Sequence, residues 1–191
     1  AMNEGQVSVE GVTHPLPRPF FVLATQNPIE SHGTFPLPEA QLDRFALRVS
    51  IGYPSATDET LMIRELASRD ALDMVPEVSD VAALRAAKAA LDHVHVDPSL
   101  AAYVVELVRR TRDDARVDLG ASPRAGLSLV RIARARAMLK GRDHVLPEDV
   151  RALASMGLSH RLLLTPDARA RGAIASDVVD EALLEVEVPV G

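Results

Sequence analysis

Cysteine is absent from the 191 residues, which removes disulfides and thiolate metal sites from consideration. Lysine is nearly absent, occurring only at Lys88 and Lys140, so arginine carries almost all of the positive charge. With 27 acidic against 21 basic residues the net charge is -6, and that balance gives no electrostatic case for binding nucleic acid or an anionic membrane. No apolar run approaches the length that crosses a bilayer, and no charged-then-apolar leader opens the chain. The expectations are a cytoplasmic location, no nucleic-acid partner and no membrane insertion.

Two further absences concern phosphate chemistry. The pattern G-x-x-x-x-G-K-[ST] occurs nowhere, and neither lysine lies near a glycine-rich loop that follows a strand. No acidic pair closes an apolar strand, because Asp58-Glu59 and Asp180-Glu181 fall in helical contexts. The chain brings neither a phosphate cradle nor a Mg²⁺ carboxylate of its own.

What is present is an apolar fraction of 47%, ample for a folded core. The pattern changes character near Tyr53-Pro54. Before it, QVSVEGVTH alternates around Glu10-Gly11 and predicts a hairpin from Gln6 to His14. Phe20 to Ala24 (FFVLA) and Phe45 to Ile51 (FALRVSI) predict two strands, the second preceded by a short helix that Pro38 opens. An unbroken apolar strand suits a sheet covered on both faces, yet residues 1–53 hold too few elements to build one. Deprived of partners, such strands invite dimerisation or swapping, so self-association is expected.

From Asp58 onward the apolar period is helical. Stripes at Met62-Ile63-Leu66, at Val81-Leu84-Ala87-Leu91-Val94, at Leu100-Tyr103-Val104-Leu107-Val108 and at Leu146-Val150-Leu153-Ala154-Leu158 each predict a helix. Ile174-Val178-Ala182 predicts a last one, and Pro123 to Lys140 is apolar over the wide arc of a central bundle helix. Pro98, Pro123 and Pro147 stand where helices begin, with Asp97 and Ser122 as N-caps. The fold class read from this pattern is a remnant of an α/β domain over residues 1–53, followed by an all-α bundle of five or six helices over residues 54–191.

Several residues are placed where chemistry is done. Asn27 follows the apolar FFVLA, at the strand end where ligands bind in covered parallel sheets, and its amide can orient a water beside a phosphate. An Asn-Pro turn explains it as well. Arg44 sits where the PEAQLD helix gives way to an apolar run. Its rigid, permanently charged guanidinium suits either a neighbour's transferring phosphoryl group or an intramolecular pair with Asp43. Arg124 lies in the first turn of a helix, where a cation opposes the helix dipole unless an anion is held jointly with the backbone N–H groups. Snorkelling to solvent is the other reading. Arg131 and Arg134 lie too far along the same helix to grip that anion. In DHVHVD, His93 and His95 have a spacing that suits a metal but lack a third ligand, so a loop is expected and no metal site.

Taken together, ATQNP, LPEAQLDRF, VSIGYPS and GASPRA, in this order and spacing, resemble the MoxR family of AAA+ ATPases over essentially the whole chain. The resemblance implies that the first part comes from the AAA+ P-loop core and the second is the AAA lid domain. It implies roles as well: Asn27 as the sensor 1 residue, Arg44 as the arginine finger acting on the adjacent subunit, and Arg124 as the sensor 2 residue that touches ATP phosphate. The Gln6–His14 hairpin corresponds to the family's pre-sensor 1 hairpin. Family members are thought to be hexameric, ATP- and Mg²⁺-dependent and chaperone-like, assisting maturation or metal-cofactor insertion in partners that often carry von Willebrand factor A domains. In the family, Walker A and Walker B precede the region matched here. The expectation is therefore a C-terminal portion that works within a longer ATP-hydrolysing protein, is catalytically incompetent alone and holds no nucleotide tightly. The alternative is a non-catalytic helical module that binds other proteins.

Overall fold

The computed structural model describes residues 5–26, 37–66 and 75–189. The chain opens on a hairpin of β1 (Gln6–Val9) and β2 (Val12–Pro15), paired antiparallel with Val9 opposite Val12. Glu10 and Gly11 have φ of 51° and 81°, the left-handed pair that a two-residue turn of matching twist requires. Both strands are exposed on both faces, and a Ser8–Thr13 hydroxyl pair at 3.1 Å spans them.

The strands expected at 20–24 and 45–51 form no ladder among the described residues, and Phe21, Leu23, Val49 and Ile51 are exposed. The reason is physical: a strand exists through its neighbours' N–H and C=O groups, and the described residues set no partner beside either run. Between them lies the short α1 (Glu39–Leu42). Pro38 precedes its first turn rather than opening it, and the Pro38 carbonyl accepts from the N–H groups of Gln41 and Leu42.

The helical part contains α2 (Ala56–Leu66), α3 (Val81–Ala90), α4 (Pro98–Arg110), α5 (Pro123–Leu139), α6 (Pro147–Leu158), the short α7 (Pro166–Ala170) and α8 (Ala175–Glu185). Its core is built from α4, α5, α6 and α8. The inner face of α5 is Ala125, Leu129, Ala133 and Ala137, each fully buried at four-residue spacing. Small side chains there let α6 approach closely. A Cβ added at Gly157 of α6 would lie 3.4 Å from both Leu129 and Ile132, ordinary van der Waals contact, so the α6 backbone packs directly on α5. Leu100, Tyr103, Val104, Leu107 and Val108 of α4 complete this layer, and Val179 and Ala182 of α8 close it. The helices α2 and α3 form as their periodicity predicts, but Met62, Ile63, Val81 and Leu84 remain exposed.

Besides the short α7, two features escape the sequence pattern. A short antiparallel pair joins β3 (Val117–Leu119) to β4 (Leu163–Leu164), with a register shift between Val117 and Leu119. Arg116, just before β3, bridges Asp114 and Glu181, tying this pair to α8. The other is a buried carboxylate at the start of α6. Asp149 takes two bonds of 2.7 Å from the Arg142 guanidinium and one of 3.0 Å from the Leu146 N–H. Burial alone would raise its pKa, but these donors outweigh burial and hold it below the ordinary carboxylate value.

Candidate functional site around Asp43, Arg44 and the start of α5

The start of α5 is fixed by a tight loop. Thr111, fully buried, donates its hydroxyl to the Val108 carbonyl at 2.7 Å and accepts from the Ala121 N–H at 3.1 Å. Arg112 donates from Nε to the Ala121 carbonyl at 2.8 Å. Gly120 passes so close to Arg112 that an added Cβ would meet its Cα at 2.7 Å, a backbone collision. Residues 120–123 are thereby held in one course, which determines where Ser122 and Arg124 stand.

Asp97 caps α4, accepting from the Ser99 N–H at 2.8 Å, as its position predicts. Ser122 does otherwise. It occupies the N-cap position of α5 but makes no side-chain cap; its hydroxyl donates to Asp43 at 3.1 Å instead. The reason is competition: a carboxylate within reach is a stronger acceptor than the hydroxyl's alternatives. The positive end of α5 is left without a side-chain cap, beside the exposed Arg124.

Asp43 is half-buried and lies 3.8 Å from Arg161, whose side chain is 2% exposed. Arg161 donates from Nη2 to the Phe45 carbonyl at 2.7 Å, and His160 Nε2 lies 3.0 Å from the same oxygen. A carbonyl only accepts, so this contact is a hydrogen bond when the His160 proton is on Nε2; Arg161 Nε approaches the same nitrogen at 3.4 Å. The Arg48 N–H continues the strip, donating to the Met156 carbonyl at 2.9 Å. Residues 43–48 are in this way laid against the end of α6 and the 3₁₀ turn Ser159–Arg161. Burial pushes the His160 pKa below its ordinary value, outweighing the Phe45 carbonyl, which favours the charged form. Burial likewise lowers the pKa of Arg161; Asp43 opposes that shift and the nearby Arg124 adds to it.

Of the residues singled out in the sequence, Arg44 and Arg124 both fall at this junction, and both are exposed. Arg44 borders Asp43, and Arg124 is two residues beyond Ser122, so one hydrogen bond lies between the two cations. Asp43 pairs with Arg161 and Ser122 rather than with Arg44. Asn27 lies outside the described residues. Arg131, too far along α5 to share an anion with Arg124, lines with Arg18, Arg44 and Lys88 an open cleft of about 540 Å³ that Phe20 and Phe45 also border. Among the described residues no group of three His, Asp or Glu side chains is arranged to hold a metal. His95 of the DHVHVD stretch is engaged through its backbone, with the Asp143 carbonyl and the Val145 N–H.

Sequence reasoning missed Asp43, Ser122, His160 and Arg161 as a set. One signal was available: in SHRLLL, as in LDRFAL, a charged residue stands at the head of an apolar run where an aliphatic one would be cheaper to bury.

Comparison with known proteins bears on the family. Residues 1–47 match the family model described as ATPase family associated with various cellular activities (AAA), and residues 109–182 match the AAA lid domain. YeaC of Bacillus subtilis is 43% identical over 100% of the chain, and chaperone MoxR1 of Mycobacterium tuberculosis is 39% identical over 98%. The chain spans 59% and 52% of the length of these two relatives. The crystal structure of a Cytophaga hutchinsonii protein assigned as an ATPase superposes with a TM-score of 0.88 at 34% identity, covering 98% of this chain and 59% of that one. The chain belongs to the MoxR family of AAA+ ATPases.

Proposed function

We propose that the chain supplies the lid and the subunit-facing edge of an ATP-hydrolysing hexameric ring. Residues 1–53 would belong to the α/β core and residues 54–191 to the lid. Arg44 reaches the nucleotide of the adjacent subunit, Arg124 holds phosphate within its own subunit, and Asn27 orients a water beside that phosphate. The observation that carries this reading is the Ser122–Asp43 hydrogen bond, which sets two exposed arginines on either side of one contact. The start of α5 fits an anion as well, since it has no side-chain cap and bears a cation in its first turn.

ATP with Mg²⁺ supplies the phosphoryl group that passes to water. The residues of this chain act on its charge: Arg44 donates hydrogen bonds to the oxygens where negative charge grows, and Arg124 neutralises phosphate without taking a proton. The phosphate cradle and the Mg²⁺ carboxylates come from sequence outside these 191 residues, which contain no G-x-x-x-x-G-K-[ST]. For the 191-residue chain alone, neither turnover nor tight nucleotide binding is expected. The ring's work is chaperone-like, in the cytoplasm, on partner proteins that carry von Willebrand factor A domains.

In the ring-forming protein that contains this chain, Arg44→Ala lowers kcat by about a thousandfold or more and leaves nucleotide affinity nearly intact. Near-normal turnover overturns the assignment. Arg124→Ala weakens nucleotide affinity or turnover, and unchanged steady-state kinetics count against its role. The missing cradle favours a second reading, a non-catalytic helical module that binds other proteins. Turnover by the longer protein excludes the module, whereas micromolar ATP binding by the 191-residue chain in calorimetry overturns the view that its cradle lies elsewhere.

A further inference from the structure

Arg161 presents an energetic puzzle. Its side chain is 2% exposed, and its salt-bridge partner among the described residues, Asp43, is 3.8 Å away and itself partly open to water. Nη1 is buried with no hydrogen-bond partner among the described residues. A buried guanidinium held this incompletely costs stability, and an aliphatic side chain would fill the place more cheaply. The three residues that follow, Leu162, Leu163 and Leu164, are of that kind. Packing therefore does not account for an arginine here.

Direction does. Arg161 Nη2 donates to the carbonyl of Phe45, and Nε, whose N–H points to His160 Nε2 at 3.4 Å, lies 3.8 Å from the carboxylate of Asp43; Phe45 and Asp43 are the residues immediately after and before Arg44. The planar fork thus spans the Arg44 peptide from both sides, and His160 gives the Phe45 carbonyl a second donor. Asp43 is gripped again by Ser122. None of these bonds uses the Arg44 guanidinium, which stays exposed at the tip of a backbone held on both flanks. Every group that does the holding lies within residues 109–182, the span that matches the AAA lid domain.

We propose that Arg161, assisted by His160, is the positioning residue for Arg44, so that the orientation of the finger follows the lid of its own subunit. This rests on the reading of Arg44 as a trans-acting finger. A state change at the start of α5, where Arg124 meets phosphate, then reaches Arg44 through Ser122, Asp43 and Arg161 without passing through the exposed segments. The signal from one nucleotide site ends on the group that serves the next.

The test is a kinetic cycle in the ring-forming protein. Arg161→Met is expected to lower kcat about a hundredfold, the cost of a misplacement of about 1 Å, with the KM for ATP near that of the parent. Arg44→Ala/Arg161→Met is expected to be no slower than Arg44→Ala alone, because a misplaced finger and an absent finger are equivalent. Losses that multiply in the double variant overturn the proposal, since a merely structural role adds its cost independently. Should Arg161→Met fail to fold, judged by thermal melting of the 191-residue chain, His160→Ala replaces it in the same cycle. His160→Gln, whose amide donates to the Phe45 carbonyl, is then expected to restore kcat. Parent kcat in His160→Ala, or no recovery in His160→Gln, overturns the proposal. If Arg44→Ala is itself normal, the finger reading fails. If Arg44→Ala is crippled while Arg161→Met is normal, only the positioning role fails.

Discussion

Replacing Arg142 with alanine tests how the lid is held together, because it isolates one buried carboxylate. Asp149 is 1% exposed and receives both ends of the Arg142 fork at 2.7 Å. Without Arg142 it keeps the Leu146 N–H at 3.0 Å and the Arg136 Nε at 3.3 Å, the latter not aligned as a hydrogen bond. Breaking a buried pair by removing one partner costs about 3–5 kcal/mol, and the remaining Arg136 contact places Arg142→Ala near the lower figure. For a helical unit of about 115 residues the unfolding entropy converts each kcal/mol into about 4 °C, so the melting temperature should fall by about 12 °C. The assay is thermal unfolding of the 191-residue chain followed by circular dichroism at neutral pH. Asp149 has a depressed native pKa, so the pair's contribution is present above the ordinary value of 3.8 and is lost as pH falls through the native value. The gap between variant and parent should narrow in that acidic window. Arg142→Ala/Asp149→Ala should cost clearly less than the sum of the two single variants. A melting shift below about 4 °C, the worth of an exposed pair, refutes the reasoning.

Because the His160 pKa is depressed in the native state, the unfolded chain binds its proton first, and stability should decline as pH falls below 6.5 towards the native value. Denaturant midpoints at pH 7.5 and 5.5 check this: the decline should be smaller in His160→Gln, and an equal decline in both chains contradicts it. Gly120→Ala should lower the melting temperature and also displace the start of α5, because its Cβ would strike the Arg112 backbone at 2.7 Å. Hydrogen exchange should speed up at Ala121 and Ala125, and parent-like protection at both amides contradicts that placement.

The helices α4, α5 and α6 were legible because each carries its own information: an apolar stripe, a proline at the start and enough length for the period to register. Local signals also sufficed for the β1–β2 turn at Glu10-Gly11, where two residues set the conformation. The junction around Phe45 was not legible, since His160 and Arg161 meet it across more than a hundred residues of chain. Nothing in the spacing of SHRLLL points to LDRFAL. Ser122 shows the same limit from the other side. Its position spelled an N-cap, and only the arrival of Asp43 from a distant segment redirected its hydroxyl. The β3–β4 pair was too short for its alternation to register. The run FFVLA shows a related dependence: its composition suits a covered strand, but strand pairing is a property of neighbours, and none stands beside it among the described residues.

The inner face of α5 has a mechanical consequence. Ala125, Ala133 and Ala137 have no side-chain torsions to adjust, and Gly157 of α6 packs against Leu129 with no side chain of its own. A seam in which Leu129 alone has rotamers to adjust absorbs little displacement by repacking, so the helix transmits motion much as a stiff rod does. Over its 17 residues that rod is about 25 Å long, and a tilt of about 5° where it starts moves its far end by about 2 Å. Load applied at Arg124 would therefore emerge at Leu139 and Lys140, at the far end of the helix.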